Sequence, residues 1–321
     1  MVNEQTRKFD WQKLMAPVAL VILFLFFWRF GRNFFPGSFI SLLESTYSVA
    51  LMAFGITFVI TTGGIDLSIG TNMMFSALLG AYFVNTGLNI WLALAYVVIN
   101  ATAIGFINGL LISKVGLPPF IATLGMMMMT QGAGSIITKV TTQYWPSSFD
   151  ENGFYKQVFY KTSGGIPTGL IYMGVFFILA VFLLNKTKFG RYTVAIGSNE
   201  EAVRLSGVNA SNWKLLVYTI CGFFAGLAGV AYAATYTSII PGTGNGLEMN
   251  AIAAVVIGGT SMSGGVGTMV GTLIGALLMS VLKTGLMSLN LQGHYQTFFT
   301  GLVVILAVLL DIYRTKRAEK V

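Results

Sequence analysis

The sequence predicts an all-α, polytopic integral membrane protein of about ten transmembrane helices, within a range of eight to ten and with interrupted or re-entrant segments. Three observations carry this. Of 321 residues, 55% are hydrophobic and only 9% are charged, and a mean hydropathy of +0.75 is foreign to soluble globular domains. Windows of the length a lipid span needs, roughly 20 apolar residues, recur without a charge or nearly so at 14–28, 90–113, 115–138, 162–185, 215–247 and 249–282. The last two windows are too long for one helix each, so spans joined by uncharged turns or re-entrant backbone must fill them.

Helices marked by charge-free length, and ended at Gly, Pro and polar clusters, fall near 14–33, 39–62, 67–86, 90–113 and 118–138. Five more fall near 168–185, 213–236, 249–262, 267–288 and 295–312. The eighth is short enough to be a half-helix or a re-entrant element. The chain thus reads as a single transmembrane domain over 1–321, with a basic arm at 1–13, loops at 139–167 and 186–212, and a tail at 313–321. The basic arm followed by an apolar run resembles a signal peptide, but residues 31–37 offer no small-x-small cleavage pattern, so the first helix is expected to be retained.

The net charge of +8 belongs to topology and not to nucleic-acid binding, because the basic residues flank apolar segments. With both termini in the cytoplasm, thirteen of the nineteen basic residues fall inside: Arg7, Lys8, Lys13, Lys114, Lys186, Lys188, Arg191, Arg204, Lys214, Arg314, Lys316, Arg317 and Lys320. Five fall outside, and Lys283 lies within a span, where it either pairs with an acid such as Glu248 or snorkels. This places 139–167 outside and 186–212 inside. A single cysteine, Cys221, excludes an internal disulfide and any cysteine-based metal cluster. His294, the only histidine, falls in an outer turn and reads as neither ligand nor base.

The outer loop carries Tyr144, Trp145, Asp150, Glu151, Phe154 and Tyr155, a composition suited to a soluble partner or to lipid headgroups. Glycines at 105 and 109, at 222 and 226, and at 267, 271 and 275 are spaced to let helix backbones approach closely in lipid. The stretches 65–71 and 263–268 both break an apolar run. If they echo each other, they fit transporters whose interrupted helices mark the pathway.

Two motifs carry chemistry. In Gly63-Gly64-Ile65-Asp66-Leu67-Ser68-Ile69-Gly70 an acid sits between glycines in apolar sequence. A carboxylate there must face protein or water, and Asp66 is placed to cap the following helix through its free N–H groups, to touch substrate, or both. In the inner loop, Asn199 starts a short helix, Glu200 and Glu201 suit its first turn, and Gly207 suits its end. Such an amphipathic helix either lies on the headgroups or projects to a partner.

The sequence resembles the ribose/galactose-type permease family of bacterial ABC importers over nearly its whole length. The resemblance rests on Gly64-Ile65-Asp66-Leu67-Ser68 with Gly70, on residues 119–125 (PFIATLG), on Phe189-Gly190-Arg191, and on 195–197 with Asn199 and Glu201-Ala202 through 205–208. Residues 251–261 (AIAAVVIGGTS), Gly264-Gly265 with Gly267-Thr268, and 271–276 complete it. It implies that two permease subunits, most simply a homodimer, form the pathway in the bacterial inner membrane. It implies a separate ABC-type ATPase that binds ATP and magnesium and docks inside, and an extracytoplasmic substrate-binding protein that delivers solute outside. No cofactor is expected in this chain, and no nucleic acid. By the same resemblance Gly190, Arg191, Asn199, Glu200, Glu201, Ala202, Arg204 and Gly207 couple the chain to the ATPase. The stretch 144–161 matches no family motif.

The chain cannot hydrolyse ATP itself. A phosphate-cradling loop needs G-x-x-x-x-G-K-[ST], and no Gly-Lys pair occurs. Polar residues in or near spans suggest the pathway: Asp66, Ser68, Asn72, Asn108, Thr123, Glu248 and Asn250, with Phe120 in the 119–125 motif. Neutral hydrogen-bonding groups suit a sugar, and a monosaccharide such as ribose or galactose is the favoured solute, with a nucleoside or vitamin as alternatives. Interhelical bonding explains single Asn or Thr residues equally well. An ion-coupled secondary transporter is the main rival class, with Asp66 as its one clear buried acid. A membrane enzyme is a poor rival, since no H-E-x-x-H or second histidine occurs.

Overall fold

The computed structural model describes residues 11–162 and 164–318. Most of the predicted arm and the last residues of the tail lie outside the described residues. Twelve helices follow in chain order: α1 (Trp11–Phe30), α2 (Phe39–Thr61), α3 (Ile69–Asn85), α4 (Ile90–Leu110), α5 (Pro119–Ile137), α6 (Tyr155–Phe159), α7 (Thr168–Lys186), α8 (Lys188–Leu205), α9 (Ala210–Thr235), α10 (Leu247–Ile257), α11 (Met269–Ser288) and α12 (Gly293–Ala318).

Each predicted span contains a helix, with bounds that differ by several residues in places. Among the described residues, six helical stretches are long and apolar enough to cross a membrane: Phe39–Thr61, Ile90–Val115, Pro119–Ile137, Thr168–Lys186, Ala210–Thr235 and Met269–Ser288. Ala16–Phe30, Leu247–Ile257 and Gly293–Leu309 are apolar but shorter. The eighth predicted span, 249–262, is corrected to the eleven-residue α10. At 1.5 Å per residue it reaches about 16 Å, half of a bilayer's hydrocarbon thickness.

Local chemistry sets the boundaries. Asn89 starts α4 by accepting from Trp91 N at 2.9 Å, Pro118 and Pro119 open α5, and Thr268 starts α11 by accepting from Gly271 N at 3.2 Å. A π-helical turn, Leu111–Val115, extends α4 and stops at Gly116 in the left-handed region (φ 85°).

α2 is the centre of the molecule. Every residue from Ala50 to Thr61 is buried, as expected of a helix that is apolar on all sides. α9 and α11 flank it. The glycine pattern does what close packing in lipid requires: a Cβ on Gly105 of α4 would lie 2.7 Å from the Cα of Gly222 on α9.

The segment 139–167 folds back on the helix ends. Strand β1 (Gln143–Tyr144) pairs antiparallel with β2 (Ser238–Ile239). Trp145 is buried and donates from Nε1 to Ala77 O at 3.1 Å, and the Tyr155 hydroxyl donates to Ala233 O at 3.1 Å. Tyr160 donates to Glu44 Oε1 at 2.7 Å, and Lys161 pairs with the same oxygen at 3.4 Å. The buried Lys156 donates to Ala234 O at 2.9 Å, and burial pulls its ammonium down to about 8.

Candidate functional site

Residues 186–212 are mostly helix and not loop. Thr187 starts α8 by accepting from Gly190 N at 3.3 Å, and the helix runs from Lys188 because Phe189 buries its ring against Phe58 at 5.2 Å. At Asn199 the backbone becomes extended (φ −162°, ψ 98°), so α8 is two helices meeting at a kink. Asn199 Oδ1 accepts from Ala202 N at 2.9 Å, and the second helix ends at Gly207 in the left-handed region (φ 85°).

This short helix rests on its own apolar patch of Ile196, Val203 and Ala210, with Trp213 against it. Lys214 pairs with Glu200. The Glu201–Arg204 pair at 3.6 Å is solvated, a geometry worth at most about 1 kcal/mol. A groove of about 480 Å³ runs beside it, lined by Ser113, Glu200, Arg204, Gly207, Asn209 and Ser211 among others. Of the residues assigned to coupling, Asn199, Glu201, Ala202, Arg204 and Gly207 are exposed together on this helix and Glu200 is half-buried. Arg191 is exposed at the far end of α8, and Gly190 is buried against the Leu184 carbonyl.

Behind the kink lie both interruptions. The chain breaks between α2 and α3 at 62–68, and between α10 and α11 at 258–268. They meet, with Gly265 N donating to Thr61 O at 2.9 Å. The Asp311 carboxylate of α12 holds the second break by accepting from Met262 N at 3.0 Å and from Ser261 Oγ at 3.3 Å.

Asp66 is buried in the first break. Its Oδ1 accepts from Ser68 N at 2.9 Å and from Ser68 Oγ at 2.7 Å, and the Cys221 thiol reaches Oδ2 at 3.6 Å. The free N–H groups inside α3 are therefore not what Asp66 serves. It shapes the turn one residue before the helix, and Asn108 Nδ2 donates to Ser68 Oγ at 2.8 Å to tie α4 into the same cluster. Tyr218 OH donates to Ile65 O at 3.1 Å.

The other pathway candidates are dispersed. Asn72 donates to Ala101 O at 3.0 Å and accepts from Ser76 Oγ at 3.3 Å, in a chain with Asn100 that bridges α3 and α4. Glu248 is buried at the start of α10. One of its oxygens accepts from Gly246 N at 2.9 Å, while the other has no partner among the described residues. A Cβ on Gly70 would lie 2.9 Å from that second oxygen, so the starts of α3 and α10 meet. Asn250 donates to Gly246 O at 3.4 Å. Thr123 is buried and bonded to Pro119 O at 2.8 Å within α5, and Phe120 is exposed.

Lys283 is exposed on α11, and no ion pair joins it to Glu248 among the described residues. His294 is exposed in the first turn of α12. The Thr71–Thr130 hydroxyl pair at 2.9 Å, the Cys221 and Tyr218 contacts to the first break, and the backbone packing of Gly197 are not legible in the sequence. Their partners lie far away in the chain, so no local pattern signals them.

An all-helical membrane chain with two broken helices meeting under an exposed, capped helix has the architecture of a polytopic transport subunit. Residues 38–308 match the family described as "Branched-chain amino acid transport system / permease component", and the chain belongs to that family of permease components. It is 39% identical over 298 residues to the ribose import permease protein of Escherichia coli K12, covering 92% of each chain. It is 40% identical to that of Bacillus subtilis strain 168, covering 94% of this chain and 92% of the relative. It is 32% identical to the fructose import permease protein of Bifidobacterium longum, covering 93% and 86%. No solved structure matches.

Proposed function

We propose that the chain is the translocating subunit of an ATP-driven importer that carries a monosaccharide, ribose first, across the bacterial inner membrane. The observation that carries this reading is the 39% identity, over 92% of both chains, to a protein named as a ribose import permease. Relatives named for fructose at 32% identity support fructose as the second reading.

In this reading both termini and 186–212 are cytoplasmic, and 139–167 faces outward. Ten segments cross or line the membrane, with α10 reaching halfway. Two copies of the chain enclose the path. A separate ATPase, which binds ATP and magnesium, seats on the short helix from Asn199 to Gly207 and its adjoining groove, and a binding protein outside supplies the sugar. Asp66, Ser68, Asn72, Asn108, Thr123, Glu248, Asn250 and Phe120 lie on or near the route.

The physics supports such a division of labour. A helix held by Asn199 at one end and Gly207 at the other is a rigid handle, and nucleotide-driven closure of a partner moves a rigid handle as a body. The central groups are neutral amides and hydroxyls apart from Asp66 and Glu248, which suits an uncharged polyol.

The test is uptake of radiolabelled ribose and fructose into proteoliposomes holding this chain with its ATPase and binding protein. ATP-dependent ribose uptake that survives collapse of ion gradients is expected. Uptake driven by an ion gradient without ATP contradicts the proposal.

A further inference from the structure

We propose that Gly197 is a positioning residue through which displacement of α8 is delivered to both interruptions at once. This rests on the reading that the helix after Asn199 docks an ATPase, and adds where its motion enters the membrane part. Three segments converge on Thr61. Gly197 lies so close to the Thr61 carbonyl that any Cβ there collides with it, and that Cβ would sit 2.5 Å from Gly265 N. Thr61 O already accepts from Gly265 N at 2.9 Å. Gly264, in the left-handed region (φ +84°), faces Gly197 O and Gly63 N, each 2.9 Å from where its Cβ would be.

The junction is therefore backbone against backbone. Flexible side chains absorb a small displacement by changing rotamer, whereas close-packed main chain has no such freedom and repulsion rises steeply. A shift of the first half of α8 must therefore move the end of α2 and the 258–268 break together. Two further contacts carry it inward: Thr61 Oγ1 donates to Thr57 O, and the Thr57 and Thr272 hydroxyls bond at 2.8 Å, joining α2 to α11. Ser198, adjacent to the kink, completes the contact, its Oγ lying 2.7 Å from where a Gly265 Cβ would be.

The experiment uses the complete complex with its ATPase and binding protein. For Gly197→Ala, sugar uptake is expected to fall about tenfold or more while ATP turnover per assembled complex stays within about twofold of the parent. Normal uptake by an assembled Gly197→Ala complex overturns the inference. Should that variant fail to assemble, the double variant Ser198→Cys, Ser263→Cys decides. Bridging the two exposed positions with a short bifunctional thiol reagent leaves uptake intact if they move as one unit, and abolition of uptake by the bridge overturns it. A parent chain that never binds an ATPase fails the underlying reading instead, which keeps the two failures apart.

Discussion

The side-chain amide of Asn108 on α4 donates to the hydroxyl of Ser68 at 2.8 Å. The Ser68 hydroxyl in turn donates to Asp66 Oδ1 at 2.7 Å, so a buried carboxylate in the first interruption is held by a two-step relay of hydrogen bonds anchored on a neighbouring helix. Ser68→Ala strips one bond from Asp66 and leaves the buried Asn108 amide without its Ser68 acceptor. Unmade buried bonds cost about 1–3 kcal/mol each, so a loss on the order of 2–4 kcal/mol is expected, read as a lowered thermal midpoint in detergent. In a double-mutant cycle, Asn108→Ala added to Ser68→Ala costs less than the sum, because one partner is already gone. Additive losses contradict the relay.

The close approach of α4 and α9 predicts a contrast between glycines. A methyl at Gly222 has no space, with Gly105 Cα 2.8 Å from its Cβ position. Gly222→Ala is expected to destabilise by about 1–3 kcal/mol. Gly132 on α5 has nothing within 4 Å of its Cβ position, and Gly132→Ala is expected to be neutral or mildly stabilising. Thermal unfolding of both variants checks the pair, and equal effects contradict the packing assigned to α4 and α9.

Lys156 makes docking of the outer segment depend on pH. Burial lowers its folded value to about 8 from 10.5, so between these values the undocked chain binds more protons than the docked one. Stability therefore rises with pH through that window, and below about 8 the burial cost is present in full. The Ala234 carbonyl offsets part of it. Trp145 fluorescence during urea titration is expected to show a midpoint that climbs from pH 8 to pH 10, and Lys156→Met is expected to flatten the climb. A midpoint that falls over this range contradicts the assignment.

Asn199 is the cap of the short helix, and losing such a cap costs about 1 kcal/mol. Asn199→Ala is expected to fray residues 200–205 without disturbing membrane insertion, and to lower sugar uptake more than ATP turnover. Glu201→Arg is expected to act in the same direction by reversing charge on the exposed face. Parallel losses of uptake and turnover would place these residues outside the coupling element.

The fold was largely legible because lipid imposes a simple rule: backbone groups must bond within their own segment, so charge-free length reports helices directly. Where that rule weakens, the sequence says less. Residues 188–198 are too polar to look like a span and read from sequence as loop, yet Phe58 and Trp213 supply the ring contacts that support the helix. Apolar sequence continues past Ile257, which hid the end of α10. The pairing of β1 with β2 joins segments nearly a hundred residues apart and has no local signature.

The candidate site was legible in part. Asn199 and Gly207 are local devices whose chemistry shows in residue type alone. Asp66 is conspicuous as a lone acid, but its contact with Cys221 and the tie from Asn108 to Ser68 beside it are not, because an Asn or Cys in an apolar run looks the same whichever polar group it meets. Gly197 belongs to one of the motifs that carry the resemblance, but a glycine needed for contact with a distant carbonyl resembles one needed for a turn.

The most direct test of the central claim asks which side of the membrane the short helix occupies and what touches it. A single cysteine at the exposed position 202, made by Ala202→Cys in a Cys221→Ala background, is labelled in sealed vesicles of known orientation and then cross-linked in the assembled complex. The account predicts labelling only from the cytoplasmic face and a cross-link to a nucleotide-hydrolysing subunit. Labelling from the outer face, or complexes in which no such subunit is captured, would contradict it.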